Sequence, residues 1–185
     1  MRKNFGAKPF LYPQPVFIIA TYNDDGTADA MNAAWGGVSD SNQITMCISA
    51  THRTTRNVLA RGAFTVSMGT ADTVVACDYV GLVSGEKEPA KLEKAGFHPV
   101  KSEFVDAPLI AELPMAVECR LVSYDPESCR MVGEIVNVCA EEGVLTDGRI
   151  DPAKLRPITF DGQNNAYLVL GEKVGDAFSD GLRLK

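Results

Sequence analysis

The stretch from residue 32 to residue 57 most constrains the fold, because it sets a glycine-rich corner, a strand-like run and a helix start close together. The corner Ala33-Ala34-Trp35-Gly36-Gly37 lets a backbone approach a flat ligand closely and holds the only tryptophan of the chain. Residues 44–49 (ITMCIS) are apolar and rich in β-formers, which predicts a mostly buried strand. This order suits a ligand with a planar ring and an anionic tail, although Trp35 also fits a core or interface position.

A helix start follows that strand, in the sequence THRTTRN. Thr54 or Thr55 is predicted to be the N-cap of a short helix that runs to about Arg61 and ends at Gly62. The free backbone N–H groups of the first turn, the helix dipole, the threonine hydroxyls and Arg53 would together favour an anion, and a phosphate is the natural occupant. A capped helix that binds only water is the alternative.

The rest of the chain reads as short strands separated by turn residues. A hairpin is predicted from residues 16–22 and 27–35, around the turn Asn23-Asp24-Asp25-Gly26, and a longer hairpin from residues 115–124 and 131–140. Further strands are predicted at residues 43–49, 63–68 and 166–170. The first four of these strands, up to residue 68, with one short helix inserted, favour a small antiparallel sheet that closes on itself.

Short helices are predicted between the strands. Residues 71–83 carry apolar positions at helical spacing, and residues 151–155 form a brief helical turn. In residues 86–96, Pro89 suits a first helical turn and Gly96 a stop, and this helix bears Lys91. Its charged residues also fit a face that is simply solvated.

Composition bounds the class of protein. The chain has 185 residues, of which 45% are hydrophobic and 23% charged, and this predicts one domain over residues 1–185. Its net charge of −6 argues against nucleic acid and anionic membranes as partners. No apolar run approaches the length of a membrane span, and no signal-peptide core follows the basic start, so a cytoplasmic protein is expected.

Several kinds of site are disfavoured. The two histidines, His52 and His98, do not have the spacing of metal ligands, so no metal site is expected. No G-x-G-x-x-G motif follows a strand, which argues against a Rossmann domain holding a dinucleotide. A nucleophile and base formed by Cys47 and His52 is set aside, because Cys47 is predicted to be buried. Reduced, mostly buried thiols are expected for the five cysteines, which are odd in number and form no C-x-x-C pair: Cys47, Cys77, Cys119, Cys129 and Cys139.

Segments along nearly the whole chain have the order and spacing of a known family. They are Pro15 to Thr21 (PVFIIAT), the turn Asp24-Asp25-Gly26, Asn32 to Trp35 (NAAW), His52 to Asn57 (HRTTRN), Lys91 to Phe97 (KLEKAGF), Asp106 to Glu112 (DAPLIAE), Glu118-Cys119, Gly133 to Val136 (GEIV) and Pro157 to Phe160 (PITF). Together they resemble the flavin reductase-like proteins, and specifically the flavoredoxin branch. The resemblance implies a mainly β fold with short helices, an antiparallel split β-barrel that binds FMN, usually as a homodimer with its sites near the subunit interface.

The resemblance also implies a set of cofactor-binding residues. Asn32, Ala33 and Trp35, with Ala34 between them, would lie along the isoalloxazine ring, although Asn32 also suits a tie to a neighbouring loop. The phosphate would be held by Arg53, Thr54 and Asn57. Further candidates are Ser49, Ala50, Thr51, Lys91 and Phe160. No catalytic side chain is implied. Cys139 stands where similar proteins tend to have a histidine, and a cysteine cannot supply a cationic donor; a buried core thiol is expected there.

The implied activity is electron transfer from NADH or NADPH, bound transiently, through FMN to a flavin, iron or protein acceptor. Backbone N–H groups of the Ala33 to Gly37 corner could donate to the flavin and stabilise its reduced form. The alternative is a non-enzymatic FMN electron carrier of the flavoredoxin type. A more distant alternative is a split-barrel protein that binds pyridoxal phosphate or haem.

Overall fold

The computed structural model describes residues 1–185, and a seven-stranded antiparallel sheet dominates it. The strands are β1 Phe17–Tyr22, β2 Ala28–Ala33, β3 Gly36–Asp40, β4 Gln43–Cys47, β5 Ala63–Met68, β6 Pro99–Lys101, β7 Pro108–Ile110, β8 Met115–Asp125, β9 Arg130–Ala140, β10 Leu145–Thr146, β11 Arg149–Ile150, β12 Ile158–Asp161 and β13 Ala166–Val169. The helices are α1 Arg53–Arg61, α2 Val74–Leu82, α3 Lys91–Ala95 and α4 Pro152–Leu155. In the large sheet the order is β2-β1-β5-β8-β9-β4-β3. It curls into a half-barrel, and with 38% strand and 21% helix it confirms the predicted mainly β split barrel.

The predicted hairpin and the predicted longer hairpin are both present. In the first, β1 and β2 pair from Phe17 opposite Ala33 to Tyr22 opposite Ala28. Gly26 has a φ of 82° in the turn between them, a conformation that glycine adopts without strain. In the second, β8 and β9 pair along their full length with two irregularities in register. These hairpins place the corner after β2 at one end of the sheet.

The predicted second strand, residues 27–35, is wrong at its end. β2 stops at Ala33, and a separate strand, β3, begins at Gly36. A Cβ atom at position 36 would lie 2.7 Å from the carbonyl oxygen of Thr45 and 2.9 Å from Cγ of Met46. Because only glycine permits this approach, the chain turns there and pairs back against β4.

Three small hairpins were not predicted as such, namely β6 with β7, β10 with β11 and β12 with β13. Each strand in them has two to four residues, which is too short for an alternating pattern to stand out. Only β13 was expected from the sequence. The hairpin of β12 and β13 matters for the site, because it brings an aromatic residue from each strand to the end of β2.

β1 is buried on both faces and separates two apolar clusters. Phe17 and Ile19 point into the half-barrel, where they join residues of β4, β5, β8 and β9. Ile18 and Ala20 point the other way, into a cluster with residues of α2 and α3. Since successive strand residues face opposite sides, this one strand packs α2 and α3 onto the outside of the barrel.

Helix α1 ends as predicted but begins differently. Gly62 adopts a φ of 68° and its N–H bonds to the carbonyl of Val58, which terminates the helix. The N-cap is His52, without a side-chain cap, so the predicted threonine cap is wrong. Thr54 and Thr55 lie inside the first turn and are buried. Their hydroxyls donate elsewhere, as described below.

The other helices agree with the sequence in part. α2 occupies the predicted helical stretch, and α4 the predicted helical turn. α3 is shorter than predicted: it runs from Lys91 to Ala95 and is terminated by Gly96, whose φ is 72°. Lys91 is buried, so the solvated alternative is wrong for this residue, whereas Glu93 and Lys94 of the same helix are exposed. None of the helices has the length and apolar character needed to cross a bilayer.

The cysteines are all unpaired, but they are less buried than expected. Cys77 and Cys119 are buried, whereas Cys129 and Cys139 are half-buried. Cys47, predicted to be buried, is exposed because it is the last residue of β4 and faces away from the core that its neighbour Met46 fills. Burial, and then the nearby Glu118 carboxylate, raise the pKa of Cys139.

Candidate functional site

The corner after β2 separates two clefts. Ala34 lines both of them. The first, of about 420 Å³, is bounded by Trp35 and by residues of β4 and β9, and is referred to below as the tryptophan cleft. The second, of about 270 Å³, lies between the end of β2, helix α2 and the β12–β13 hairpin, and is referred to as the hairpin cleft.

The hairpin cleft collects most of the residues expected along a planar ring. Asn32, Ala33, Ala34 and Phe160 all line it. Phe160 and Tyr167 project from the two strands of the hairpin, with ring centroids 6.0 Å apart. An aromatic wall therefore faces the small side chains of the corner, which is a shape suited to a flat ligand.

Polar contacts fix the geometry of the hairpin cleft. The amide of Asn32 donates to the carbonyl of Cys77 at 2.9 Å, so this side chain ties β2 to α2. The hydroxyl of Tyr167 donates to Oδ1 of Asp78 at 2.7 Å and ties the hairpin to the same helix. Burial, followed by this hydrogen bond, raises the pKa of Tyr167 to about 12, so the phenol is neutral at physiological pH.

The tryptophan cleft is more open. Trp35 is 55% exposed, and the cleft also contains Cys47 and Arg130. The backbone N–H groups of Ala34 and Trp35 have no acceptor within the protein. Two free donors at the shared wall can bind an electronegative atom of a ligand that lies in either cleft.

The start of α1 offers a second group of free donors. The backbone N–H groups of Arg53, Thr54 and Thr55 have no acceptor within the protein, and the first turn contains no acidic residue. Just before the helix, the hydroxyls of Ser49 and Thr51 lie 2.9 Å apart at the surface. Such a helix start favours an anion through both its hydrogen bonds and its dipole.

Not every residue predicted to hold the phosphate has a free donor. The hydroxyl of Thr54 donates to Oδ2 of Asp29 at 2.5 Å, and Nζ of Lys91 lies 3.0 Å from Oδ1 of the same carboxylate. The amide of Asn57 donates to Oδ1 of Asn23 at 2.7 Å. The side chains of Thr54, Asn57 and Lys91 are all buried, so they support the helix start from the side that faces the core.

Arg53 links the helix start to the hairpin cleft. Its Nη1 donates to the carbonyl of Gly85 at 2.6 Å. Gly85 follows the end of α2, and Leu82 at the end of α2 lines the hairpin cleft. Arg53 therefore ties the helix start to the segment that follows α2, three residues from the lining of the hairpin cleft.

The structure thus sorts the predicted residues into three places: the corner with its two clefts, the accessible helix start, and the buried layer behind that helix start. Asn32, Ala33, Ala34 and Phe160 come together in one cleft, and Trp35 lies on the other side of Ala34. The residues around an accessible helix start are Ser49, Ala50, Thr51 and Arg53, and those with occupied, buried side chains are Thr54, Asn57 and Lys91.

Sequence reasoning missed three carboxylate and aromatic contributors. Asp29, Asp78 and Tyr167 each organise a wall of the site. Asp29 had a signal: it is a charged residue on the same strand face as Met31 and Ala33, where a carboxylate is costly unless it is paired. Asp78 and Tyr167 had none, because their contact joins positions 89 residues apart.

These features fit the parts of FMN. Small and aromatic side chains on either side of Ala34 suit the planar ring, and the free N–H groups there suit its electronegative atoms. A helix start without acidic residues suits a phosphate. Asp29, which contacts Thr54 at the helix start, and Asn32, which lines the hairpin cleft, lie in the same strand, so β2 connects the two parts of the site.

Comparison with known proteins identifies the family. The family model described as "Flavin reductase like domain" matches residues 10–156. The flavoredoxin of Desulfovibrio vulgaris (Miyazaki F) superimposes with a TM-score of 0.94 at 37% sequence identity, covering 98% of this chain and 100% of that chain. The flavoredoxin from Methanosarcina acetivorans gives a TM-score of 0.87 at 28% identity, covering 100% and 98%. An uncharacterized protein of Aquifex aeolicus (strain VF5) is 28% identical over 159 residues, 79% of either chain. The resemblance found in the sequence is confirmed: the chain belongs to the flavin reductase-like domain family and has its FMN-binding split-barrel fold.

Proposed function

We propose that this protein is an FMN-dependent oxidoreductase that takes electrons from NADH or NADPH and passes them to a flavin, iron or protein acceptor. The observation that carries the proposal is the pairing of two sets of free backbone donors. One set lies at Ala34 and Trp35 beside the clefts, and the other lies at the start of α1. A ring with electronegative edges and a phosphate tail uses both sets at once.

The proposed roles follow the three places in the structure. Asn32, Ala33, Ala34, Trp35 and Phe160 orient the ring. The phosphate is bound at the helix start by Ser49, Ala50, Thr51 and Arg53 together with the free N–H groups. The remaining candidates, Thr54, Asn57 and Lys91, act on the phosphate by holding that helix start in place.

FMN, when bound, supplies reversible hydride and single-electron transfer. The chain's own residues would bind and orient it between the corner and the walls of the clefts. Asn32 and Tyr167 donate hydrogen bonds to Cys77 and Asp78 of α2, and these bonds keep the ring-side wall rigid. The free N–H groups of Ala34 and Trp35 donate to the ring edge and stabilise added negative charge. No general acid or base is needed, and NADH or NADPH binds only transiently.

The proposal is tested by titrating the purified protein with FMN and then adding NADH or NADPH without oxygen. Saturable binding followed by prompt bleaching of the flavin absorbance is expected. Flavin binding without reduction by either nucleotide, under any acceptor, would refute the enzymatic part. An absence of flavin binding would refute the whole proposal.

A non-enzymatic FMN electron carrier is the second candidate. It is favoured by the 37% identity to a flavoredoxin that aligns over 98% of this chain. The two candidates differ in how the cofactor behaves, because a carrier retains its flavin while a reductase that uses free flavin exchanges it. Dialysis against excess unlabelled FMN after loading with labelled FMN separates them: retention favours the carrier, and rapid loss favours the reductase.

We further propose that residues 1–185 act as one cytoplasmic domain that forms a homodimer. The support for the homodimer is an open sheet edge: β3 is the last strand of the sheet and exposes Val38 at 74%, and the exposed Trp35 directly precedes the strand. An unpaired edge with exposed apolar residues is a surface that a second copy can cover. Light scattering after size exclusion is expected to give twice the chain mass, and a monomer at micromolar concentration would contradict it.

A further inference from the structure

Asp29 is a buried carboxylate to which the proposed function gives no role. It is 2% exposed and is the second residue of β2. One oxygen accepts the hydroxyl of Thr54 at 2.5 Å, and the other lies 3.0 Å from Nζ of Lys91. A single side chain therefore joins β2 to the first turn of α1 and to the start of α3.

The carboxylate has no room for a further partner. A Cβ atom at Gly85 would lie 2.5 Å from Oδ1 of Asp29, so the backbone of the segment after α2 closes directly over it. That segment is itself held by Arg53, which donates to the carbonyl of Gly85. Asp29 is therefore not a ligand group, and any effect on a ligand must pass through the residues that it holds.

The residues it holds are those around the free donors of α1. Thr54 contributes one of the free N–H groups, and its side chain is fixed only by Asp29. The buried ammonium of Lys91 would be an uncompensated charge without the carboxylate. Asp29 thus fixes the direction of the donors and balances the nearest buried cation.

We propose that Asp29 is the positioning residue of the phosphate site and sets the preference for a phosphorylated flavin over a flavin without phosphate. This inference rests on the proposed function, because it concerns the same site. The ring-side wall depends on other contacts: Asn32 is held by Cys77, and Tyr167 by Asp78. Loss of Asp29 should therefore weaken binding of the phosphate and leave binding of the ring unchanged.

The test compares FMN with riboflavin, which has the same ring and no phosphate, in binding titrations of Asp29→Asn and Thr54→Val. For both variants the Kd for FMN is expected to rise by about tenfold or more, the size of one lost charge-assisted contact. The Kd for riboflavin is expected to stay within about twofold. In the double variant, Asp29→Asn with Thr54→Val, the loss for FMN should be smaller than the product of the single losses, because both act through one bond.

Asp78→Asn is the matched control, a carboxylate change on the ring side of the same site. It should alter the affinities for FMN and riboflavin in parallel. If Asp29→Asn unfolds because Lys91 is left buried and charged, Asp29→Asn with Lys91→Met removes that charge, and Thr54→Val keeps the ion pair intact; both should show the same selective loss.

Equal weakening of FMN and riboflavin in the Asp29 and Thr54 variants would overturn the inference in favour of a purely structural role. An unchanged FMN affinity would overturn it as well. If the wild-type protein binds neither flavin, it is the proposed function that fails, so the two failures are distinguishable.

Discussion

The ring side and the phosphate side of the candidate site are built in opposite ways. On the ring side, half-buried apolar and aromatic walls meet at Ala34, and Trp35 is more than half exposed. On the phosphate side, the accessible donors are backbone groups resting on a buried network around Asp29. Substitutions on the ring side should therefore affect ligand binding with little effect on the fold. Substitutions behind the helix start should affect both stability and binding.

Removal of the buried carboxylate should have the largest effect. Asp29→Ala leaves the ammonium of Lys91 buried without a partner, and this should lower the free energy of unfolding by about 3–5 kcal/mol. Urea unfolding followed by circular dichroism measures it. Asp29→Ala with Lys91→Met should recover most of the loss. A cost below about 1 kcal/mol for the single change would mean that the network does not support the helix start.

Arg53→Ala is expected to rank second and to act on binding. Arg53 flanks the free N–H groups and is only half-buried, so its loss should weaken FMN binding by about 1.5–3 kcal/mol while riboflavin binding changes little. Calorimetric titration with both ligands gives the two values. Arg56→Ala, which removes a neighbouring exposed arginine paired with Glu86, is the matched control. Equal losses for both ligands would place the phosphate elsewhere.

A smaller effect without phosphate selectivity is expected from Trp35→Ala. The indole lines the tryptophan cleft and is exposed, so its removal should cost about 0.5–1.5 kcal/mol of binding for FMN and for riboflavin alike. Fluorescence titration of both flavins tests this. A loss seen with FMN alone would contradict the division of the site into two sides, and a large loss of stability would show that Trp35 packs in the core.

The sequence predicted the strands and helix ends around the site better than the side-chain contacts that hold them together. Alternating and apolar runs located β1, β2, β4 and β5, and Gly62 marked the end of α1, but β3, directly after the corner, was not predicted. The direction of the Thr54 hydroxyl and the pairing of Lys91 with Asp29 were not predictable, because they depend on segments brought together only in the folded chain. Local sequence patterns predict caps and turns, whereas a buried ion pair between residues 62 positions apart depends on the tertiary structure.

The smallest expected effect concerns Tyr167 and pH. Its pKa is raised from 10.0 to about 12, so the native state holds this proton more tightly than the unfolded chain does. The resulting stabilisation is complete below pH 10 and is lost as the pH rises towards 12. The free energy of unfolding of the wild type should fall more steeply over that interval than that of Tyr167→Phe. Parallel curves in urea titrations would contradict the combined burial of Tyr167 and its hydrogen bond to Asp78.

The most direct test of the two-sided site is an amide NMR titration of the labelled protein with FMN and with riboflavin. We expect the free N–H resonances of Ala34 and Trp35 to shift with both ligands. Those of Arg53, Thr54 and Thr55 should shift with FMN only. Helix-start resonances that move equally with riboflavin, or that do not respond to FMN, would contradict the placement of the phosphate at α1.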